Sequence, residues 1–354
     1  MPHAVTTDVF DYALPEERIA QQPLLRRDAS RLLHLPPAGP PRDHGFADLP
    51  DLLRPGDLLV GNDTRVRAAR LRGTRPGGGA AELLVLDEHG DGSHLCLVRP
   101  ARRLPAGTRV DLAGGLAAVV GEPAPGHPGA RRVRFDGGGS AGLDAALEAA
   151  GTVPLPPYIR GPIADPGRYQ TIFAASPPRS AAAPTAGLHF TPEVLDQLRH
   201  RGIGLATVRL EVGLGTFTPI RTARVDDHRM HEERFELPEP AAAAIDATRG
   251  AGGRVVAVGT TTVRVLETMT AGEGRVDPGS GVTRLFIRPG TPIRVVDGLL
   301  TNFHQPRSSL LVLVAVVLGG DRWRAAYDHA LRGGYRFLSF GDCMLCWTAA
   351  RSNG

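Results

Sequence analysis

Lysine is missing from this chain of 354 residues, so all 41 of its permanently basic side chains are arginines. Chemistry that needs an ammonium group at a fixed place is therefore excluded, including a Schiff-base or pyridoxal lysine and a P-loop. GC-rich codon usage is the simplest cause. The 37 acidic residues leave a net charge of +4, a mild excess that permits a nucleic-acid partner without requiring one.

Cysteine is scarce, with only Cys96, Cys343 and Cys346. An odd count in a chain of this length favours a reducing compartment. Cys343 and Cys346 have the spacing of a redox or zinc motif, but no second cysteine pair or CxxH sequence completes a tetrahedral site. We therefore predict no metal at this pair.

Long apolar runs are also absent. The longest, residues 310–318, is about half of the roughly 20 residues that a membrane helix needs. The N-terminus lacks a basic region followed by an apolar core, so no secretory signal is visible. We expect a soluble cytoplasmic protein of two or three domains, at about 100–200 residues each.

The chain contains two regions with different patterns of apolar and turn-forming residues. In residues 66–150, short apolar runs separated by glycine and proline recur every 10–20 residues or so, which indicates a small antiparallel barrel or sandwich. In residues 151–354, predicted helices alternate with predicted strands, among them 254–258, 283–287 and 335–340. We predict an α/β domain with a mixed sheet from residues 1–65 and 151–354, into which an all-β barrel-like domain is inserted.

Polar residues gather where predicted helices begin. Thr191-Pro192-Glu193 has the pattern of a helix start, and the loop before it holds Thr185, Gly187 and His189. Helix N-termini attract anions, which makes this loop a candidate ligand site. A capped turn around a buried histidine is the structural alternative.

Two further junctions repeat this pattern. After the strand at 254–258, Thr260 and Thr261 open a helix and suit a carboxylate or a ribose hydroxyl, while Arg264 either joins them or pairs with Glu267. The third junction is the segment 300–309. There Asn302 or His304 could hydrogen-bond to the edge of a base, and Phe303 could stack on its face. A simple helix cap at Ser308 is the alternative there.

The segment 228–233 places two histidines beside two glutamates. Histidine titrates near neutral pH, so His231 and Glu233 are candidates for proton transfer. The spacing of His228 and His231 is a weak metal signal, and a solvated polar turn is the alternative. We predict no metal ligand here.

The segment 210–217 resembles the first motif of Rossmann-type methyltransferases, with Glu233 twenty residues beyond Gly213. The third glycine of that motif is missing, and Pro219 follows where a helix should run. A methyltransferase that uses S-adenosylmethionine therefore remains only as an alternative.

Arginines concentrate around the predicted insert. A face that tracks phosphates is one interpretation, and scattered surface charge is the other, because acids interleave. The candidates for contact with RNA are Arg65, Arg67, Arg102 and Arg103.

Collinear blocks across nearly the whole chain resemble the S-adenosylmethionine:tRNA ribosyltransferase-isomerases of queuosine biosynthesis. They include IAQQPLLRRDASRLL, LLRPGDLLVGNDTRVRAARLRG, LVRPARRL, PLPPYI, RYQTIFA, AAAPTAGLHFT, EVGLGTFTPI, HRMHEE, VGTTTVRVLE, LFIRPG, GLLTNFHQPRSSLLVLVA and YRFLSFGD.

The resemblance implies a monomer with an α/β domain and an inserted β-barrel. It implies that the ribosyl group of S-adenosylmethionine, a co-substrate, is transferred and isomerised onto 7-aminomethyl-7-deazaguanine in the anticodon stem-loop of a tRNA. The products would be epoxyqueuosine, adenine and methionine, with no metal, redox or prosthetic group. A paralogue acting on a small deazapurine and a non-catalytic tRNA-binding protein remain as alternatives.

This chemistry needs groups that move protons, because a ribose carbon and the aminomethyl group must lose protons and adenine must gain one. The candidates are His189, His231 and Glu233, with His304 and Asp342 in reserve. The candidates for holding the nucleoside or the methionine carboxylate are Thr185, Gly187, Thr260, Thr261, Arg264, Asn302 and Phe303.

Overall fold

The chain forms two compact units in a computed structural model. The first unit is Met1–Arg65 with Pro156–Gly354, and the second is Val66–Leu155. The structure describes residues 5–88, 91–125, 129–136, 139–213, 219–272 and 274–349.

Helices and strands are numbered here in chain order. The strands are β1 (Arg31–Leu35), β2 (Arg42–Gly45), β3 (Leu58–Asn62), β4 (Arg65–Val66), β5 (Arg70–Thr74), β6 (Ala80–Glu88), β7 (His94–Arg99), β8 (Arg109–Leu112), β9 (Ala117–Pro123), β10 (Ala130–Asp136), β11 (Pro178–Ser180), β12 (Gly204–Leu210), β13 (Glu233–Leu237), β14 (Val255–Val258), β15 (Thr270–Ala271), β16 (Arg275–Val276), β17 (Gly279–Thr283), β18 (Gly298–Asn302) and β19 (Cys343–Trp347). The α-helices are α1 (Leu49–Leu52), α2 (Gly139–Ala150), α3 (Pro192–His200), α4 (Glu239–Gly250), α5 (Thr260–Thr268), α6 (Ser309–Leu318) and α7 (Arg322–Arg332).

A mixed sheet of nine strands organises the first unit, in the order β17-β13-β12-β3-β14-β18-β19-β1-β2. Its centre is parallel, because β12, β3, β14 and β18 pair in one direction. β19 then runs antiparallel to β18. Every residue of β3, β14, β18 and β19 is buried, as expected for strands covered on both faces.

The core lies in two layers, one on each face of this sheet. Along β14, Val255 and Ala257 belong to one hydrophobic cluster, and Val256 and Val258 to the other, following the two-residue period of a strand. Helices α4, α5, α6 and α7 supply apolar side chains to the first cluster. Helices α1 and α3 supply the second. The predicted α/β architecture with a mixed sheet is therefore confirmed.

The second unit is built on a separate antiparallel sheet of six strands. Its order is β10-β7-β6-β5-β8-β9, and β9 also pairs with β10. Completely buried side chains from several strands fill its interior, including Leu83, Val110, Val120 and Val133. Leu143 of α2 is buried as well.

Two predicted strands are wrong. The segment 283–287 contains only the last residue of β17, and the segment 335–340 is not a strand. In the latter, alternating aromatic residues imitate a strand pattern, but Leu338 adopts a φ of 69°, which breaks an extended backbone. Its aromatic side chains are buried all the same, because Tyr335 and Phe337 pack on Phe303.

The strand near the C-terminus is Cys343–Trp347. Because the two cysteines lie three residues apart in a strand, their side chains enter opposite faces of the sheet and join different clusters. Burial raises the pKa of both thiols, that of Cys346 to about 12.

In the described ranges no three histidine, cysteine or acidic side chains are grouped as a metal site would need. The described helices also include none with the length and apolar character to cross a membrane.

Candidate active-site cleft

A cleft of ≈ 610 Å³, measured to its open mouth, lies where β14 and β18 end. These strands are parallel neighbours, and ligands of α/β proteins collect beyond the carboxyl ends of such strands. Six predicted site residues line it: Thr185, Thr260, Thr261, Asn302, Phe303 and His304. The fold therefore brings three junctions that are separate in the sequence to one cleft.

The first turn of α5 forms one wall of the cleft. Gly259 precedes it with φ 90° and ψ 154°, a conformation that side chains strongly disfavour. No side chain caps this helix, so the amide groups of its first turn are available to a ligand. Thr260 is buried in the wall and its hydroxyl has no hydrogen-bond partner among the described residues. Thr261 is tied to the sheet instead, accepting from Asn62 Nδ2 at 3.3 Å.

The side-chain amide of Asn302, the last residue of β18, is fixed by two hydrogen bonds on the side away from the cleft. Its Nδ2 donates to the carbonyl of Leu338 at 3.1 Å and to His189 Nε2 at 3.3 Å. Its Oδ1 is buried without a partner in the described part of the chain. An orphaned acceptor in a cleft is costly unless a ligand supplies a donor. Leu338, in its left-handed conformation, directs the carbonyl that fixes this amide.

His189 is buried behind Asn302. Since Nε2 accepts from Asn302, the proton of a neutral ring lies on Nδ1, which donates to Ser30 Oγ at 2.7 Å. Ser30 in turn donates to the carbonyl of Arg27 at 3.3 Å. Burial lowers the pKa of His189 to about 4, so the ring is neutral near pH 7.

His304 lines the cleft directly. Its Nε2 lies 2.9 Å from Thr301 Oγ1, and the hydroxyls of Tyr12 and Tyr327 hold its backbone. Burial lowers the pKa of His304 to about 3. Nδ1 makes no hydrogen bond to any described residue, so one nitrogen of a neutral imidazole remains for a ligand.

Tyr158 and Ser339 are polar residues of the cleft that were not singled out from the sequence. The hydroxyls of Tyr158 and Ser339 lie 2.7 Å apart in its wall. Both stand in blocks that carry the family resemblance, PLPPYI and YRFLSFGD, and that membership was the available signal.

Glu233 and Arg264 form a buried ion pair outside the cleft lining. Glu233 also accepts from the amide of Gly213 at 2.9 Å, and Arg264 donates to the carbonyl of Leu285 at 3.0 Å. The intrahelical pairing of Arg264 with Glu267 is therefore wrong. Glu267 instead accepts from the amides of residues 294–296.

Three other predicted residues, His231, Asp342 and Gly187, occupy structural or remote positions, and Phe303 borders the cleft from within the core. His231 is exposed and does not line the cleft. Both oxygens of Asp342 accept backbone amides, from Arg31 at 2.9 Å and Arg336 at 2.8 Å. A side chain at Gly187 would lie 2.9 Å from Thr171, so this glycine serves close packing. The ring of Phe303 is fully buried among aromatic neighbours, which leaves no open face for a base.

The candidate RNA-binding arginines differ in availability. Arg67 is half-buried and paired with Asp144 in the second unit. Arg102 and Arg103 are exposed in a 3₁₀ turn, and neither forms an ion pair with a described residue. Arg65 is likewise exposed and unpaired in the described chain. The methyltransferase-like segment lies partly outside the described residues, which stop at Gly213 and resume at Pro219.

The fold and the cleft define an α/β protein with a polar cleft at the carboxyl ends of parallel strands. A family model described as queuosine biosynthesis protein matches residues 7–346. The chain belongs to this family.

Similar proteins carry a common name. A protein of Gloeobacter violaceus named S-adenosylmethionine:tRNA ribosyltransferase-isomerase is 53% identical over 340 residues, covering 96% of this chain and 95% of that one. A protein of Pelotomaculum thermopropionicum with the same name is 49% identical, covering 95% and 98%. The crystal structure of an S-adenosylmethionine tRNA ribosyltransferase from Thermotoga maritima is 34% identical with a TM-score of 0.53, covering 95% of this chain and 99% of that one.

Proposed function

We propose that this protein is an S-adenosylmethionine:tRNA ribosyltransferase-isomerase. It transfers and isomerises the ribosyl group of S-adenosylmethionine onto 7-aminomethyl-7-deazaguanine at the wobble position of tRNA. The observation that carries this is the identity of 53% over nearly the full length to a protein of that name. The cleft adds a site with the donors and acceptors that a nucleoside needs.

S-adenosylmethionine occupies the cleft. Its hydroxyl or carboxylate oxygens accept from the first-turn amides of α5 and from the hydroxyl of Thr260. A ligand N–H or O–H donates to Oδ1 of Asn302, which supplies the missing partner of that atom. Thr185 lines the same space.

His304 moves protons to and from the substrate. Burial keeps its ring neutral at pH 7, and in the tautomer whose Nε2 donates to Thr301, Nδ1 starts the cycle as an acceptor. His189 does not contact the substrate itself and acts through Asn302, because its Nε2 is hydrogen-bonded to that amide. His231, Glu233 and Asp342 remain candidates from the sequence alone: the positions of Glu233 and Asp342 favour structural roles, and His231 is exposed outside the cleft lining.

The second unit serves RNA binding. Its six-stranded sheet, in which β9 pairs back with β10, acts as a small barrel domain inserted into the α/β domain. Arg102 and Arg103 contact phosphates of the anticodon stem-loop. The enzyme acts as a cytoplasmic monomer without a prosthetic group, which the family resemblance supports.

Product analysis tests this function. The protein is incubated with S-adenosylmethionine and tRNA that carries 7-aminomethyl-7-deazaguanine, and small products are separated by chromatography. We expect adenine and methionine in equal amounts. The appearance of S-adenosylhomocysteine without free adenine would favour a methyltransferase. Equal turnover of the free deazapurine and the modified tRNA would favour the small-molecule paralogue.

A further inference from the structure

A second cavity of ≈ 300 Å³ lies in the first unit, and nothing above assigns it a ligand. Its lining includes Arg26, Arg27, Arg168, Ser30, His189 and Ser339. Ser339 lines the cleft as well, and His189 bonds to Asn302 of the cleft, so the two spaces share a wall.

The positive charge in this cavity is only partly balanced by acids, since Asp165 raises the pKa of Arg27 without forming an ion pair with it. Arg26 is paired with Asp28 at 2.9 Å, but neither Arg27 nor Arg168 forms an ion pair with a described carboxylate. Arg27 is held by the carbonyls of Leu188 at 3.2 Å and Gly167 at 3.0 Å. Two guanidinium groups close together repel each other, and Arg168 is among the causes that lower the pKa of Arg27, after burial.

Hydrogen-bonding capacity is also left over. Arg168 donates to the carbonyl of Leu25 at 2.9 Å, while its Nε is buried with no partner among the described residues. Arginine keeps its charge in such a place and binds phosphate with two parallel N–H groups. A fixed pair of guanidiniums with unused donors therefore suits a tetrahedral anion.

The surroundings favour RNA as the source of that anion. Leu25, beside Arg168, is 95% exposed, which leaves an apolar surface for a sugar or base next to the charged cavity. The cleft already offers ≈ 610 Å³ to S-adenosylmethionine. The other substrate is a polyanionic RNA strand, and it needs a binding surface next to the wall that the cavity shares with the cleft.

We propose that the cavity of Arg27 and Arg168 binds a backbone phosphate of the substrate tRNA beside the modified nucleotide. This inference rests on the proposed function. The phosphate positions the strand so that its base approaches the cleft from the side of His189 and Ser339.

The test measures the affinity of Arg168→Gln for tRNA bearing 7-aminomethyl-7-deazaguanine across a range of salt concentrations. We expect affinity to fall roughly 10- to 100-fold, as for the loss of charged hydrogen bonds. The slope of log affinity against log salt should fall by about 0.7–0.9. Affinity for S-adenosylmethionine should stay unchanged. Arg199→Gln, an exposed arginine paired with Asp196, is the matched control and should change neither quantity.

A second variant protects the test against misfolding. Arg26 is 76% exposed at its side chain, so Arg26→Gln should fold normally and keep a donor for Asp28, while it removes one of the charges that line the cavity. Unchanged tRNA affinity and salt slope in both variants would overturn the inference. So would a loss of S-adenosylmethionine affinity with tRNA binding intact, because the cavity would then hold the methionine carboxylate. Failure of the proposed function is separate, since wild-type protein would then release no adenine and methionine.

Discussion

At the scale of single residues, the cleft lacks charge. None of its described lining residues is acidic or basic apart from His304, and burial keeps that ring neutral. In the proposed complex a sulfonium substrate would therefore meet hydroxyl and amide dipoles, while the start of α5 would face its carboxylate or hydroxyl oxygens. Such groups cost no reorganisation when charge shifts during reaction, which suits a cleft that must stabilise a changing charge distribution.

Thr260 provides a test of this view. Thr260→Val keeps the shape of the side chain and removes its unpartnered hydroxyl, so we expect binding of S-adenosylmethionine to weaken about 2- to 10-fold, the typical worth of one hydrogen bond. The melting temperature should not change. Thr262→Val is the control, because that hydroxyl donates to the carbonyl of Val258 at 2.9 Å inside the fold. It should lower the melting temperature and leave the affinity alone. The reverse pattern would remove Thr260 from the site.

The buried histidines predict how stability depends on pH. The folded pKa of His189 is about 4 and its ordinary value is 6.5, so the unfolded chain binds more protons between these values. The free energy of unfolding should therefore fall as the pH falls below 6.5, by about 1.4 kcal/mol per pH unit for this group. Above pH 7 the group contributes no slope.

Urea unfolding at pH 7.5 and pH 5.0 measures this effect. We expect His189→Gln to lose about 2 kcal/mol less than the wild type between the two conditions. His304→Gln should behave in the same way, because its pKa is lowered in the same direction. Equal losses in all three proteins would mean that these imidazoles bind protons equally in the folded and unfolded states, so that burial does not lower their pKa.

At the scale of elements, the sequence predicted most of what positions the cleft. The start of α5 and the end of β14 lie within one residue of their predicted places, because a buried strand followed by glycine and hydroxyl residues has few other conformations. The strand at 335–340 was wrong, since its aromatic alternation reflects packing around Phe303 rather than pairing. A local pattern cannot distinguish these two causes.

The site itself was predictable only in part. The three junctions could each be recognised from their residue types. That they meet at one site depends on the pairing of β14 with β18, which no local sequence pattern gives. The ion pair of Glu233 with Arg264 spans 31 residues and two elements, so no local spacing signals it. Arg27 and Arg168 are 141 positions apart in sequence numbering, and only the folded chain brings them to one cavity.

Gly259 links α5 to the sheet and predicts a backbone effect. Its φ of 90° and ψ of 154° are costly for a residue with a Cβ, so Gly259→Ala should destabilise the protein by about 1–3 kcal/mol. Gly250→Ala is the control, because Gly250 ends α4 at an ordinary φ with open space around it. That change should be neutral or stabilise by up to about 1 kcal/mol. Chemical denaturation measures both, and equal effects would contradict the assigned role of Gly259.

At the scale of the whole molecule, charge is distributed unequally. Several arginines of the second unit are neutralised by neighbouring acids, including Arg109 by Asp111 and Asp136. Arg102 and Arg103 are not. The second unit therefore presents a local basic loop rather than a uniformly basic face.

The salt dependence of tRNA binding tests whether the loop of Arg102 and Arg103 contacts phosphates. Arg102→Gln with Arg103→Gln should weaken tRNA binding and reduce the slope of log affinity against log salt by about 0.7–0.9 for each lost phosphate contact. Arg109→Gln, with its charge already paired, should leave the slope nearly unchanged. Equal slopes in the double variant and the wild type would place the RNA elsewhere.

The fate of the ribose tests the central claim most directly. S-adenosylmethionine labelled in its ribose is incubated with the protein and tRNA that carries 7-aminomethyl-7-deazaguanine, and a parallel reaction uses a label in the methyl group. We expect the ribose label to enter the tRNA, one for each adenine released, while the methyl label leaves with methionine. Transfer of the methyl label to the tRNA, with the ribose label retained in S-adenosylhomocysteine, would contradict it.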